Sequence, residues 1–313
     1  MSSFASPLES ILAALDAAGD AAAAVVFRAS DAAFGPWTVA VLLGTGLFLT
    51  VRLRFVQIRH FPDALRSLHP ARAGGDGALT PFQAFMTALA ASVGTGNIAG
   101  VSTAIVSGGP GALFWIWCYG FFATAIKFTE AVLGVRYRVL GRAYLSAGPM
   151  HYLRDGLGLP RLGWLYALIA GIAALTTTTF TQPNSIAVVF ESHFHVPTLV
   201  TGAGIAVLTW LVVIGGVQSI GRAAEKLAPS MVALYLLGGL LVIVTHADRV
   251  GEVLTLVVRE AFSLRAGVGS AAGIGVMMAM RYGLARGIYA NEAGYGTAAV
   301  AYGTARSRRP VQQ

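Results

Sequence analysis

Charged residues are scarce in this sequence. Only 12% of its 313 residues are charged, whereas soluble domains average about 25%. Hydrophobic residues make up 56%, and they recur in runs of about twenty, the length that a helix needs to cross a bilayer. Strands of a membrane barrel would be shorter and would alternate between apolar and polar residues. The composition therefore excludes a soluble protein and predicts an all-α polytopic membrane protein.

Cysteine is nearly absent, and the common catalytic motifs are missing. The single cysteine, Cys118, lies inside a predicted span and excludes an intrachain disulfide. We find no P-loop, no HExxH and no GxSxG pattern, and we interpret the protein as something other than an enzyme. The net charge of +8 does not indicate nucleic-acid binding, because the basic residues cluster in loops between the apolar runs.

The apolar runs predict about seven transmembrane helices. Residues 1–32 carry apolar residues at helical spacing with acidic residues between them, and they lack the basic start of a signal peptide. We expect this stretch to be an extracytoplasmic amphipathic segment on the lipid surface, followed by a transmembrane domain over residues 33–313. The predicted spans cover residues 34–52, 82–106, 112–135, 162–190, 197–217, 227–246 and 267–283.

The basic residues predict the orientation of these spans. Seventeen Arg and Lys residues fall in loops 52–80, 136–161 and 218–226 and in the tail from Arg281, whereas four fall on the opposite side. By the positive-inside rule, the side with seventeen is cytoplasmic. We therefore expect a multi-pass protein of the cell inner (plasma) membrane, with its N-terminus outside and residue 313 in the cytoplasm.

The second span contains a sequence that breaks a helix. In Val93-Gly94-Thr95-Gly96-Asn97 two glycines flank a β-branched threonine, and glycine costs about 1 kcal/mol relative to alanine in a helix interior. Backbone groups freed within a membrane must be buried in protein or line a polar cavity. A break can offer carbonyls to a cation and amides to a carboxylate, which predicts a binding site. The alternative is close helix packing through small residues.

The fourth span carries a second polar cluster. Pro183 removes a backbone hydrogen bond within the span, and Gln182 and Asn184 place two amides beside it. Hydrogen bonding between helices is the simpler interpretation, since such contacts contribute about 0.6–2 kcal/mol each. Two amides next to a proline exceed what helix association needs, so we predict the second half of the binding site here.

Two groups of charged residues indicate ionic contacts. Lys127 and Glu130 stand at i and i+3 and share a helix face, which predicts a structural ion pair with Lys127 reaching the interface, or alternatively a coupling role. Glu292 and Asn291 lie close in sequence to two arginines. We predict an ionic lock at the cytoplasmic mouth, with a solvated loop as the alternative.

Long motifs of this chain resemble the alanine or glycine:cation symporter family. The motifs are Gln83-Ala-Phe85, Ala91-Ser-Val-Gly-Thr-Gly-Asn-Ile-Ala-Gly-Val101, Phe128-Thr-Glu130, Gln182-Pro-Asn-Ser185 and Arg286-Gly-Ile-Tyr-Ala-Asn-Glu-Ala-Gly-Tyr-Gly296. The resemblance covers nearly the whole chain after residue 30. It implies sodium-coupled uptake of alanine or glycine and a leucine-transporter-type fold of two inverted repeats. The first repeat would cover residues 82–246 and the second would start within residues 267–313.

The resemblance also implies particular site residues. The substrate would contact Thr95, Gly96, Asn97, Gln182, Gly273, Ile274 and Gly275. Sodium (Na+) would bind near Ala90, Ser92, Val93 and Asn97. The threonines at 176–179 and Pro183 depart from the family pattern. Family members continue through four more helices, so the second repeat is expected to be largely missing here.

Several other functions stay open on the sequence alone. The chain could be a non-transporting fragment or remnant of such a symporter, a proton-coupled amino-acid transporter, or a channel. Breaks on two helices at the membrane midplane favour alternating access over an open pore. The residues leave open whether sodium or a proton is the coupling ion, whether alanine or glycine is preferred, which stereoisomer binds, and which oligomeric state forms.

Overall fold

The protein is predominantly helical, as its apolar runs predict. The computed structural model describes residues 20–21, 24–25, 28, 35–67, 74–141, 145–176, 178–263, 274–307 and 310–312. Strands β1 (Val139–Leu140) and β2 (Leu145–Ser146) pair antiparallel, with Val139 opposite Ser146. The predicted amphipathic segment over residues 1–32 lies almost entirely outside the described residues.

The helices follow one another with short connections. They are α1 (Pro36–Arg52), α2 (Val56–Arg59), α3 (Phe61–Ser67), α4 (Pro81–Ser92), a π-helical turn (Gly96–Gly100), α5 (Val101–Gly108), α6 (Ala112–Arg136), α7 (Pro149–His151), a second π-helical turn (Tyr152–Gly156), α8 (Pro160–Thr176), α9 (Thr178–Phe194), α10 (Thr198–Val213), α11 (Gly216–Thr245), α12 (Ala247–Ala261), α13 (Ile274–Asn291), α14 (Thr297–Gly303) and a 3₁₀ turn (Pro310–Gln312).

Three segments of the described chain are long and apolar enough to cross a bilayer. These are α6, residues 160–194 with α8 and α9, and α11. The bent pair of α4 with residues 96–108 makes a fourth if it counts as one span. Helices α1 and α10 are apolar but shorter, with 17 and 16 residues. The structure thus supports a helical membrane protein, while seven spans and an inverted repeat stay predictions.

One predicted loop is wrong. Residues 218–226 were expected to form a loop, but they lie within α11, which runs for 30 residues from Gly216. The helix extends beyond its apolar part, and Glu225 there accepts a hydrogen bond from Gln83 Nε2 at 2.9 Å. Helix α13 continues to Asn291, so it extends past residue 283, where the seventh span is predicted to end.

Helix α6 lies at the centre of the structure. Its Tyr119, Ala123 and Ile126 are buried against Leu284 and Ile288 of α13. Glycines let the backbones approach: a Cβ at Gly134 of α6 would clash with the carbonyl oxygen of Ala299 in α14. Because α6 contacts both α13 and α14, its side chains reach the regions where those helices begin and end.

The segment after α14 pairs with a loop from much earlier in the chain. Ser307 bridges in parallel to Gly74, and Ala305 bridges to Leu79. Arg138 holds this segment from the other side, since its guanidinium donates hydrogen bonds to the carbonyls of Gly303, Ala305 and Ser307. The segment is therefore fixed between the loop before α4 and the end of α6.

Candidate functional site

The predicted break in the second span is present. Helix α4 begins with a capping box: Thr80 Oγ1 accepts from the backbone N–H of Gln83, and Gln83 Oε1 accepts from that of Thr80. The helix ends at Ser92, where Val93 turns to an extended conformation (φ −101°, ψ 106°). The segment on the far side of the break is inclined by 46° to α4. The glycine-rich sequence has ended the helix where its low helix propensity predicts.

Asn97 closes the end of α4. Its side-chain Nδ2 donates to the carbonyl oxygen of Ser92 at 2.8 Å, and its backbone N–H donates to Gly94 at 3.1 Å. The Ser92 carbonyl belongs to the last turn of α4, where helix carbonyls lack partners within the helix. Since a carbonyl oxygen has two lone pairs, this hydrogen bond leaves capacity for one further contact. Asn97 thus orients the carbonyl that we predicted to face sodium.

Lys127 of α6 reaches the same helix end. Its Nζ donates to Ser92 Oγ at 3.3 Å, and Ser92 Oγ donates to the carbonyl of Ala88 at 3.1 Å. A positive charge is stabilised at the C-terminal end of a helix, because the carbonyl dipoles point there. The predicted structural ion pair of Lys127 with Glu130 is wrong, since the ion pairs of the described residues do not include it and each side chain has another partner.

Gln182 of α9 lies directly against the break. Its Nε2 is 3.1 Å from the position that a Cβ of Gly94 would occupy. Tyr289 of α13 lies on the other side, with its Cε1 at 2.7 Å from the corresponding position at Gly96. The two glycines therefore leave room for side chains from two other helices. The structure places Gln182 at Gly94, next to Thr95, Gly96 and Asn97 in the chain.

Tyr289 is a residue that the sequence analysis missed. It lies within the motif over residues 286–296, but nothing local to that motif indicates a contact with Gly96. Of the substrate residues expected near the start of the last span, Gly273 lies outside the described residues, as does the glycine-rich stretch before it. Ile274 and Gly275 open α13, which packs against the π-helical turn of residues 96–100.

The expected sodium ligands are backbone oxygens in the last turn of α4. Ala90 and Ser92 lie in that turn, and Val93 caps it by donating its N–H to Leu89. The described residues contain no cluster of three His, Cys, Asp or Glu side chains that could hold a metal ion. A cation at this place would therefore depend on carbonyl and amide oxygens, a donor set that suits hard cations.

The turn between α13 and α14 is the second irregular segment at α6. Glu130 Oε1 accepts hydrogen bonds from the backbone N–H groups of Gly294 at 2.8 Å and Gly296 at 3.1 Å. Both glycines have positive φ, +94° and +82°, a conformation that glycine adopts without steric cost. The turn thus wraps its amides around one carboxylate oxygen.

Two tyrosines also bind the backbone carbonyls of the same turn. Tyr119 of α6 donates its hydroxyl to the carbonyl of Ala293 at 3.0 Å, and Tyr166 of α8 donates to that of Tyr295 at 2.8 Å. The ionic lock expected at Glu292 is wrong in the part of the chain that the structure describes. Its Oε2 accepts from Thr297 Oγ1 at 3.0 Å, and no described ion pair joins it to an arginine.

The second predicted span is broken, and polar side chains from other helices meet it at the break. This arrangement is typical of a membrane transport protein. The chain belongs to the sodium:alanine symporter family, which matches residues 20–313. This confirms the family that the motifs predict. The family is one of transporters, consistent with the interpretation that the chain is not an enzyme.

Individual relatives are similar over most of this chain. It is 41% identical over 288 residues to the sodium/alanine symporter AgcS of Methanococcus maripaludis, covering 90% of this chain and 62% of that protein. An uncharacterized transporter of Haemophilus influenzae is 42% identical over 275 residues, 87% of this chain and 60% of that one.

A third relative is the putative sodium/proton-dependent alanine carrier protein YrbD of Bacillus subtilis, 37% identical over 273 residues. The match covers 87% of this chain and 55% of the carrier. Across these three relatives, the chain spans between 55% and 62% of their length.

Proposed function

We propose that the protein acts in sodium-coupled symport of alanine or glycine across the cytoplasmic membrane, and that this chain carries the binding site. One observation supports this above the others: Gln182 and Tyr289, from two different helices, meet the broken helix at Gly94 and Gly96. A packing role for these glycines would not need polar side chains on both sides. The name of the relative AgcS, a sodium/alanine symporter, agrees with this substrate.

The chemistry of the break suits a small zwitterion. Backbone amides of Thr95 and Gly96 at the start of the second half-helix would bind the carboxylate, favoured by the helix dipole. Gln182 Oε1 would accept from the ammonium. Gln182 and Tyr289 lie against the two glycines, and we infer that they limit the substrate side chain to hydrogen or methyl and exclude one as large as that of leucine. Gly273, Ile274 and Gly275 complete the proposed substrate set.

Sodium would bind on the α4 side of the break. The proposed ligands are carbonyls near Ala90, Ser92 and Val93 with the Asn97 side chain, which already contacts the Ser92 carbonyl. Lys127 lies at the same helix end, so a bound sodium ion and the positively charged Lys127 side chain repel each other there. Lys127 would therefore tune the affinity for sodium.

Proton coupling is the second candidate. The observation that favours it is Glu130, a buried carboxyl on the central helix that is held by the turn after α13. The relative YrbD carries a name that includes both ions. The two candidates share the amino-acid site and differ in the coupling ion.

The sodium proposal predicts the behaviour of Asn97→Ala. Alanine binding to the protein in nanodiscs should depend on sodium, and the variant should need on the order of 10-fold more sodium for half-maximal binding. The variant loses the proposed Asn97 ligand and the neutral hydrogen bond that orients the Ser92 carbonyl, and that bond alone contributes about 0.5–1.5 kcal/mol. Labelled alanine binding would be measured against sodium, with choline replacing it.

Thr255→Ala is the control for this experiment, because Thr255 bonds to the Gly251 carbonyl of its own helix, α12, away from the break. It should keep the sodium dependence of the unaltered protein. Equal alanine binding in potassium or choline would contradict the proposal that sodium is the coupling ion.

The proposed topology places residue 195 outside the cell and residue 140 in the cytoplasm. The outside N-terminus depends on the bias of basic residues. The proposed repeats (residues 82–246, then from 267) follow from the family resemblance, and the inner-membrane location is proposed with them. In a Cys118→Ala background, His195→Cys should react with an impermeant thiol reagent applied to intact cells, whereas Leu140→Cys should react only after permeabilisation. The reverse labelling pattern would invert the whole orientation.

A further inference from the structure

Glu130 is an acidic side chain inside a membrane-spanning helix, and it is only 6% exposed. Its Oε1 accepts the two backbone hydrogen bonds from Gly294 and Gly296. Its Oε2 is buried and has no hydrogen-bond partner among the described residues. One oxygen of this carboxyl is thus fully used, and the other is buried without a donor.

This arrangement fits a neutral carboxyl better than a carboxylate. A carbonyl oxygen has two lone pairs, and the two amide donors fill both of them at Oε1. A carboxylate would also place negative charge on Oε2, away from water and without a donor. Burying an unpaired charge costs far more than burying a neutral hydroxyl. An O–H bond at Oε2 removes that cost and keeps both contacts at Oε1.

One positively charged side chain of the described residues acts on the Glu130 carboxyl. Lys127 on the same helix is the nearby cation, but its Nζ contacts Ser92 Oγ, and the described ion pairs do not join it to Glu130. Glu292 adds negative charge from the turn. Among the residues that the structure describes, the remaining titratable neighbours are tyrosines, namely Tyr119 of α6, Tyr152 of the second π-helical turn, Tyr166 of α8 and Tyr295 of the turn.

We propose that Glu130 is a proton-binding site, at which Oε2 takes up one proton from water and the neutral carboxyl holds the turn of residues 292–296. Loss of the proton leaves a negative charge three residues from Lys127 on the same helix face. The ammonium then has a second partner besides Ser92. Protonation of Glu130 is thereby linked, through Lys127, to the break after α4. It is also linked to Tyr289 of α13, because the turn that Glu130 holds follows that helix directly.

The inference deepens the proposed function by assigning a second ion, but it rests on the contacts of Glu130 and not on the amino-acid substrate. Infrared spectroscopy of the protein in nanodiscs tests it directly. Exposed Asp and Glu side chains are ionised at neutral pH, since their ordinary pKa values lie near 4. A carbonyl-stretch band of a protonated carboxyl should therefore be present at neutral pH and should disappear in Glu130→Gln.

Glu292→Gln is the matched control, because it removes a neighbouring carboxylate of the same turn and should keep the band. Incorporation of ¹³C-labelled glutamate into the unaltered protein should shift the band, which tests the assignment without relying on the folding of a variant. Lys127→Met should extend the band to higher pH, since the nearby positive charge is gone. A spectrum without the band at neutral pH, or a band that Glu130→Gln retains, overturns the proposal.

The outcome is separable from that of the proposed function. A protein that shows the Glu130 band but binds neither alanine nor glycine would contradict the proposed substrate and support the proton site. A protein that binds alanine in a sodium-dependent way and shows no protonated carboxyl would support the proposed substrate and contradict the proton site.

Discussion

Gln182→Ala is expected to weaken alanine binding by roughly 10- to 150-fold. The proposed contact is a hydrogen bond between Gln182 Oε1 and the ammonium of the substrate, and hydrogen bonds to charged groups contribute about 1.5–3 kcal/mol. Each ~1.4 kcal/mol corresponds to a tenfold change in affinity. The position of Gln182 against Gly94 places this side chain at the break without further rearrangement.

Equilibrium binding of labelled alanine to the protein in nanodiscs measures this effect, with glycine and leucine as competitors. Glycine should compete, whereas leucine should not, because Gln182 and Tyr289 occupy the space beside the glycines. Ser192→Ala is the control, since it removes a polar side chain near the other end of the same helix, where the hydroxyl bonds to the Val189 carbonyl. An unchanged affinity in Gln182→Ala would mean that α9 only packs against the break.

Gly134→Ala is expected to lower the stability of the protein by about 1–3 kcal/mol, the usual cost of overpacking a close contact. The added methyl group would meet the backbone of Ala299, which cannot rotate away as a side chain could. Helices α6 and α14 would have to separate. The turn that Glu130 holds immediately precedes α14, so it would be displaced as well.

Thermal unfolding of the detergent-solubilised protein measures this change. Gly171→Ala in α8 is the matched control, because a Cβ there has no atom within 4 Å outside its own helix. It removes a glycine from a helix interior, which by itself favours the helix by up to about 1 kcal/mol. The two alanine variants should therefore shift the melting temperature in opposite directions. A Gly134→Ala protein as stable as the unaltered one would show that α6 and α14 do not pack as described.

The break in the second predicted span could be predicted because its cause is local. Gly94 and Gly96 are poor helix formers in any environment, and the chain bends there. Gln182 could be assigned to the site because an amide beside a proline in an apolar span has few other uses. Tyr289 could not be assigned, since its position beside Gly96 depends on how α13 packs and no sequence period indicates that.

The pairing of Lys127 with Glu130 failed because it relied on proximity along one helix. Their actual partners lie 35 residues away for Lys127, at Ser92, and 164 residues away for Glu130, at Gly294. The loop expected at residues 218–226 failed for a related reason. Basic residues mark the end of an apolar stretch, but they do not end a helix, and Arg222 and Lys226 continue α11.

The pairing of the segment after α14 with the loop before α4 constrains the order in which the chain folds during synthesis. Leu79 and Ala305 are bridged, and Arg306 donates its backbone N–H to the Leu79 carbonyl at 2.7 Å. The ribosome completes Leu79 and Arg138 long before residues 303–307 emerge. Until then, the guanidinium of Arg138 and the backbone of the loop before α4 are without these partners. Closure of this long-range contact is therefore a late event in biogenesis, which follows the insertion of the intervening helices into the bilayer.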